Sequence, residues 1–336
     1  MAKPGNAAIL RSFLDARQGD YLSGEALAEG HGVSRVAIHS RLKKLEQSGI
    51  HFDAVPRKGY RLASEPPILH PDLLEAYIRK AGLGLGAVNV LEETDSTNLE
   101  ADRRLASNCP APFAVFARCQ SQGRGRLGRN WHSTDPGNLY MSVGFRPGSP
   151  GAGLSRFSLW AGVHIATALR EATDLPVQVK WPNDLHIDGK KVGGILCEAK
   201  LELDCIQTLV FGFGLNVNQD AGSLPTGLRT PATSLFSLLG RPVPVHPLAV
   251  DILRAVLHAY RDCQQPLAGE NLKQAFASLD ALKGKVVQAQ NGNLVTTGVA
   301  NGIDEQGNLL LLTKGNQTVP IPAGDVSLAP AMPPDQ

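Results

Sequence analysis

Two consecutive prolines, Pro66 and Pro67, divide this 336-residue chain, because a proline pair continues neither a helix nor a strand ladder. Charge divides at the same place. Residues 1–65 hold ten Lys or Arg against seven Asp or Glu, whereas the remainder holds 23 against 24. A net charge of only +2 gives no whole-chain argument for nucleic-acid binding, but the positive excess is N-terminal. A hydrophobic share of 43% with 19% charged residues excludes wholesale disorder. Met1–Phe13 carries no sustained apolar run, and no later stretch approaches the roughly 18 apolar residues of a membrane span. A cytoplasmic protein without membrane association is expected. Cys109, Cys119, Cys197, Cys205 and Cys263 are scattered with no C-x-x-C pair, so reduced thiols and no zinc or other resident metal site are expected.

Within residues 1–65, Ser23 can cap a helix carrying Leu27 and Ala28, Gly30-His31-Gly32 breaks it, and Ser34 caps the next. On that second helix Ala37, Ile38, Leu42 and Leu45 share one face. Val36, His39, Ser40 and Lys43 point away, with Arg35 at the N-terminal end. Two short helices joined by a glycine turn predict a helix-turn-helix. Phe52–Val55 and Tyr60–Leu62 then flank Pro56-Arg57-Lys58-Gly59, a hairpin with cations at its tip. Such a wing would hold phosphates through Arg57 and Lys58 while the helix reads base edges. A solvated basic face on an interaction domain is the plainer alternative.

Beyond the prolines the pattern predicts helices near Pro71–Ala81, Asn98–Ala106 and Leu154–Ala172. It predicts strands near Ala87–Leu91, Phe113–Ala117, Leu139–Phe145, Val177–Trp181 and Leu209–Phe213, an α+β order. Asp188-Gly189 is a two-residue hairpin signal. Residues 283–328 show only short strands parted by turns at Asn291-Gly292-Asn293, Asp304–Gly307 and Lys314-Gly315-Asn316, which fits a small β-barrel in a docking or supporting role.

Three clusters carry chemistry. Gly123-Arg124-Gly125-Arg126-Leu127-Gly128-Arg129 formally matches G-x-G-x-x-G, but no helical period follows it, so a dinucleotide fingerprint is a poor fit. Glycines admit a ligand close to the backbone and guanidinium groups fork onto carboxylate or phosphate oxygens, so this loop should cradle a polyanion. Lys180-Trp181-Pro182-Asn183-Asp184 places a cation and short polar side chains at a strand end, followed by Lys190, Lys191 and Gly193-Gly194. Gly212-Phe213-Gly214-Leu215-Asn216-Val217-Asn218 ends a third strand with amides that could face a nucleotide. No Walker P-loop, H-E-x-x-H helix or G-x-S-x-G elbow occurs, which argues against covalent hydrolase chemistry.

With these clusters in order, the chain resembles the biotin protein ligases of the bifunctional ligase and repressor type. The signatures are Asp95-Ser96-Thr97-Asn98, the Gly123–Arg129 loop with Trp131, Asn138-Leu139-Tyr140, Lys180–Asp184, Lys191–Leu196 and Gly212–Asn216. Ala232–Leu235 and the wing-like Val55–Tyr60 add to them. The resemblance implies an α+β fold in three parts: a winged helix-turn-helix over residues 1–65, a mixed-sheet α/β catalytic domain of the biotin/lipoate ligase type over 66–280, and an SH3-like β-barrel over 281–336. It implies that biotin and MgATP give biotinyl-adenylate, which is then attacked by a lysine of a biotin carboxyl carrier protein. Ser96, Thr97, Asn98, Gln120, Arg124, Gly125, Arg126 and Lys191 would line the biotin site, with Lys191, Arg126 and Arg124 catalytic. Trp131 would pack near the adenine, with Asn183 and Asn216 on the nucleotide side. Operator DNA would be the second partner, met by a homodimer, since a helix-turn-helix reading paired half-sites needs two copies.

Two alternatives remain at this stage. A lipoate-type or other acyl-adenylate ligase shares the activating chemistry and differs in pocket shape. A transcription factor that only senses a small molecule would have little need of both Arg126 and Lys191.

Overall fold

Ser23 and Ser34 set the N-terminal fold: their hydroxyl oxygens accept the N–H of Ala26 at 3.0 Å and of Ala37 at 3.2 Å, satisfying donors that a helix start leaves orphaned. The computed structural model describes residues 5–17, 19–150, 156–202, 205–225, 227–228 and 230–329, with the side chains of 149 and 150 excepted. Its first segment folds as α1 (Asn6–Asp15), α2 (Gly24–His31), α3 (Arg35–Gln47) and the antiparallel hairpin β1 (His51–Val55) and β2 (Gly59–Ser64). Helix α1 is an addition to the sequence expectation. Its Ile9, Leu10 and Phe13 join Ile38, Leu42 and Leu45 of α3 in one core, and Phe13 meets Phe52 of β1 with ring centroids 5.0 Å apart.

The central region comprises α4 (Pro71–Ala81), β3 (Val88–Thr94), α5 (Thr97–Ala106), β4 (Phe113–Gln120), β5 (Leu139–Phe145), β6 (Ser149–Pro150), α6 (Phe157–Thr173), β7 (Gln178–Lys180), β8 (Asp184–Ile187), β9 (Lys190–Glu202), β10 (Cys205–Leu215), α7 (Leu235–Leu239), α8 (Val245–Asp262) and α9 (Ala268–Ala277). The last three helices were not anticipated from sequence. Helix α6 starts at Phe157, while Leu154 and Ser155 of its expected start lie outside the described residues.

The strands form a mixed sheet in the order β3-β4-β5-β10-β9-β8-β7, with β3 and β4 parallel and β6 pairing with β10. Strand β5 is buried along its whole length. Its Met141, Val143 and Phe145 face the core that includes α6 and α8, so the alternate residues Tyr140, Ser142 and Gly144 face the α5 side. At the β8–β9 turn, Asp188 and Gly189 take φ of 48° and 77°, as the two-residue hairpin signal requires.

The C-terminal strands β11 (Val286–Asn291), β12 (Leu294–Ile303), β13 (Leu309–Leu312), β14 (Thr318–Ile321) and β15 (Asp325–Leu328) form an antiparallel sheet in the order β14-β13-β12-β11-β15. Among the described residues no pairing joins β14 to β15, so the expected barrel is seen as a five-stranded sheet whose ends are not hydrogen-bonded to each other. It shares the main core through Val287, Ala300 and Leu309, and Trp181 Nε1 donates to Gly307 O at 2.9 Å.

Helix α4, just past the prolines, belongs to two cores: Leu73 and Ala76 pack with the N-terminal cluster, Leu74 and Ile78 with the main one. A polar seam crosses the same junction. His246 Nε2 accepts the His70 backbone N–H at 2.9 Å, so its Nδ1 carries the proton facing Glu65 Oε2 at 3.0 Å. His70 Nε2 in turn lies 2.9 Å from Ser48 Oγ at the end of α3. All five cysteines are free, and burial pushes the Cys197 and Cys263 thiols up to about 12.

Candidate ligand site and nucleic-acid interface

The smaller of two neighbouring pockets forms where α5 begins and where β4, β9 and β10 bring their polar and glycine positions together. Ser96, Thr97, Asn98, Gln120, Arg124, Gly125, Arg126 and Lys191, the whole set expected at one ligand, line it with Trp131 and Asn183. Its floor is preorganised. Thr97 N donates to Gln120 Oε1 at 2.8 Å, Gln120 Nε2 donates to Ser133 Oγ at 2.8 Å, and Ser142 Oγ donates to Asn98 Oδ1 at 2.6 Å. Asn98 Nδ2 donates to Glu198 Oε2 at 2.7 Å. Beneath the helix start, the Arg103 guanidinium at 2.9 Å holds the Asp95 carboxyl far below the usual carboxylate range, and Asp95 accepts the Ser96 N–H at 2.7 Å. The glycines of β10 are steric requirements: a β-carbon on Gly212 would collide with Asn98, and one on Gly214 with the Trp131 indole.

The Gly123–Arg129 loop turns back on itself, with Gly125 N donating to Arg129 O at 2.7 Å and a short 3-10 turn at Arg126–Gly128. Its arginines differ in partner. Arg124 pairs with Glu198 at 3.0 Å and Arg129 with Asp325 at 2.6 Å. Among the described residues Arg126 donates to neutral oxygens, Asn183 Oδ1 at 3.2 Å and Gly324 O at 3.3 Å, and burial pulls it below the ordinary arginine value against the opposing pull of Asp184 and Asp325. A half-buried cation on neutral acceptors is ready for an anion. Lys191 Nζ lies 2.7 Å from Asp184 Oδ1 and 5.2 Å from the centre of the Trp131 ring.

Trp131 and Lys191 also line the larger cleft, about 450 Å³, between the central sheet and the C-terminal sheet. Asn216 is on this second side, its Nδ2 donating to Thr233 O at 2.9 Å, together with Lys180, His186, Lys285 and Asp325. Asn183, expected on the nucleotide side, lines the smaller pocket beside Arg126. Trp131 forms the wall between the two spaces, its Nε1 buried without a hydrogen-bond partner among the described residues. Ser142, Ser133, Glu198 and Asp325 were not anticipated, whereas Asp184 belongs to the expected Lys180–Asp184 cluster. Ser142 had a signal, a small polar side chain inside the otherwise hydrophobic run Leu139–Phe145. Glu198 and Asp325 had none, since each meets its arginine across a long sequence separation.

On the N-terminal segment Arg35, Val36, His39, Ser40 and Lys43 all lie exposed along α3, and Arg57 and Lys58 are exposed at the hairpin tip. His39 Nδ1 lies 3.3 Å from Tyr60 Oη, joining helix to wing. Arg61, by contrast, is engaged by Asp53 at 2.5 Å. Val36 is 78% exposed, an apolar side chain held out to solvent on the face expected to meet bases.

Comparison with known proteins gives three matches along the chain. Residues 8–61 match a helix-turn-helix (HTH) domain family, residues 90–216 the biotin/lipoate A/B protein ligase family, and residues 284–329 the biotin protein ligase C-terminal domain. The bifunctional ligase/repressor BirA of Escherichia coli is 33% identical over 337 residues, covering 97% of this chain and 98% of that protein. Its namesake from Bacillus subtilis is 32% identical over 296 residues, covering 88% and 90%. Among solved structures, the biotin protein ligase of Aquifex aeolicus in complex with biotin and ATP superposes with a TM-score of 0.63 at 31% identity, covering 72% of this chain and 98% of that one.

Proposed function

The chain belongs to the bifunctional biotin ligase and repressor family, and on that footing we propose how its own residues carry out the two reactions of such a protein. It activates biotin with ATP to biotinyl-5'-AMP, transfers biotin to a lysine of a biotin carboxyl carrier protein, and binds operator DNA as a repressor. A soluble protein of the cytoplasm fits this role, and no helix among the described residues is long and apolar enough to cross a membrane.

The observation that carries the site assignment is the convergence of all eight expected residues on one pocket around Arg126. Ser96, Thr97, Asn98 and Gln120, fixed by Ser133, Ser142 and Glu198, present set donors and acceptors to the polar ring end of biotin. Its carboxylate then lies towards Arg126 and Lys191, and the α-phosphate approaches from the cleft lined by Trp131 and Asn216. A carboxylate oxygen attacks the α-phosphorus, the bond to the bridging oxygen breaks, and pyrophosphate leaves. Two anions repel as they meet, so fixed cations lower the barrier by offsetting that repulsion and the charge spread over the transferring group. In the second step the carrier lysine's neutral amine attacks the acyl carbon, its carbon–oxygen bond to AMP breaks, and AMP leaves as the nitrogen loses its proton. No protein nucleophile is required, and proximity supplies much of the rate.

Among the described residues no group of three His, Cys, Asp or Glu side chains is arranged to hold a metal ion. Mg²⁺ enters as part of the MgATP substrate. Two copies would engage DNA, each placing α3 in a major groove with Arg57 and Lys58 on the flanking backbone.

Incubation with biotin, MgATP and a carrier domain, followed by intact-mass measurement of the carrier, tests the reading. A biotin-sized mass gain is expected, with pyrophosphate–ATP exchange dependent on biotin and not on lipoate or octanoate. Exchange driven by lipoate instead would replace the substrate assignment.

A further inference from the structure

The C-terminal sheet reaches the reaction chamber at two successive residues where β15 begins. Asp325 pairs with Arg129 at 2.6 Å, and Gly324 O accepts from Arg126 at 3.3 Å. Gly324 sits at φ 144°, and a β-carbon there would collide with Gln290 O, so the turn that presents this carbonyl and carboxylate requires glycine. At the other end of the loop Arg124 is tied to Glu198 of β9 at 3.0 Å. Both outer arginines are thus neutralised by carboxylates on opposite walls, while the middle one rests on amide and carbonyl oxygens. An incoming carboxylate or phosphate can take Arg126 without displacing a competing anion, whereas taking Arg129 would expel Asp325.

We propose that Asp325 is a positioning residue for adenylate formation, clasping Arg129 so that the Gly123–Arg129 loop closes over the acyl-adenylate and Arg126 is left as the cation that meets it. This rests on the ligase reading above. It divides labour within a motif that sequence presents as three equivalent arginines, and it gives the C-terminal sheet a part in the chemistry. Asp325 and Arg129 both line the larger cleft, so loss of the clasp opens that cleft at its outer rim and lets the activated intermediate escape.

Hydrogen–deuterium exchange of residues 123–131 in the ligand-free protein reads the clasp without reference to activity. Asp325→Asn should raise exchange by about two- to fivefold, the range for a partly exposed ion pair, while Asp325→Glu stays near native. The charge swap Arg129→Asp with Asp325→Arg should restore protection that either single reversal loses. With ligands, Asp325→Asn should raise KM for ATP more than it lowers kcat for pyrophosphate exchange, and speed the release of biotinyl-adenylate into filtrate. Native-like loop exchange in folded Asp325→Asn, or a swap that restores nothing, would overturn the clasp. Absence of biotin-dependent exchange in the native protein would instead overturn the ligase reading, leaving the loop measurement to stand by itself.

Discussion

The cations of α3 and its hairpin differ from those of the ligand loop in what they touch. Arg35, Lys43, Arg57 and Lys58 are exposed and make no ion pair among the described residues, whereas Arg124, Arg129 and Lys191 each lie against a carboxylate. Free surface cations suit a partner that is a continuous polyanion, because they release its counterions wherever they land. Paired cations suit a small ligand that must be held in one geometry, because their partners fix the guanidinium or ammonium before the ligand arrives. The first arrangement trades in affinity and salt dependence, the second in rate.

Removing residues 1–65 draws the contrast most sharply. A chain starting at Pro66 should lose DNA binding to the level of nonspecific background yet retain biotin-dependent pyrophosphate exchange, measured by gel shift and isotope exchange. It should also melt at lower temperature, since Leu73 and Ala76 of α4 lose their covering and His246 loses Glu65. Undiminished DNA binding would place the nucleic-acid surface on the arginine loop.

Next in size is Lys191→Ala. Losing a preorganised charge from the transferring group typically costs ~10² to 10³ in rate, so exchange should fall by that factor while circular dichroism is unchanged. The same substitution leaves Asp184 without its counter-ion, and Asp184→Asn in the Lys191→Ala background should recover folding stability but not rate. Native exchange rates in Lys191→Ala would remove this residue from the reacting carboxyl.

A smaller effect appears against pH. Burial lowers His186 from 6.5 to about 4, with Lys180 acting in the same direction, so on acidification the unfolded chain takes up the proton first. Stability is therefore full above about pH 6.5 and falls as pH drops towards 4, at roughly 1.4 kcal/mol for each pH unit between the two values. His31 and His70, also lowered chiefly by burial, add to the same acid-side loss. Urea unfolding at pH 7 and pH 5 should show His186→Gln narrowing the difference; an equal difference in mutant and native protein would assign the acid sensitivity elsewhere.

The finest distinction lies within the DNA face. Lys43→Ala and Arg57→Ala should each reduce the slope of log K against log[salt] by ~0.9 if each contacts one phosphate. His39→Ala should leave that slope nearly unchanged and shift sequence preference, tempered by its hold on the Tyr60 hydroxyl. A salt titration on the protein's own promoter region and on scrambled DNA separates the two outcomes.

What the sequence determined by itself was local. Ser23 and Ser34 are caps wherever they precede an amphipathic run, Asp188-Gly189 closes a hairpin through backbone geometry that few other residues adopt, and alternation along Leu139–Phe145 marks a buried strand. That Ser96, Thr97, Asn98, Gln120, Arg126 and Lys191 share a site was implied by the family resemblance rather than by spacing, and in the structure they line one pocket. Only the tertiary structure decided which partners these groups keep. Helix α1 carried no flanking motif to mark it and is defined by the core it closes, and α4 is divided between two cores that meet across the prolines. Glu198 and Asp325 lie 74 and 196 residues from the arginines they bind. Nothing in either segment announces the other, since an ion pair depends on where two chain segments are brought in space and charge leaves no periodicity in sequence. Asn183 faces Arg126 rather than the larger cleft for the same reason: its amide donates to Ile195 O at 2.7 Å across the sheet, which turns its oxygen towards the loop.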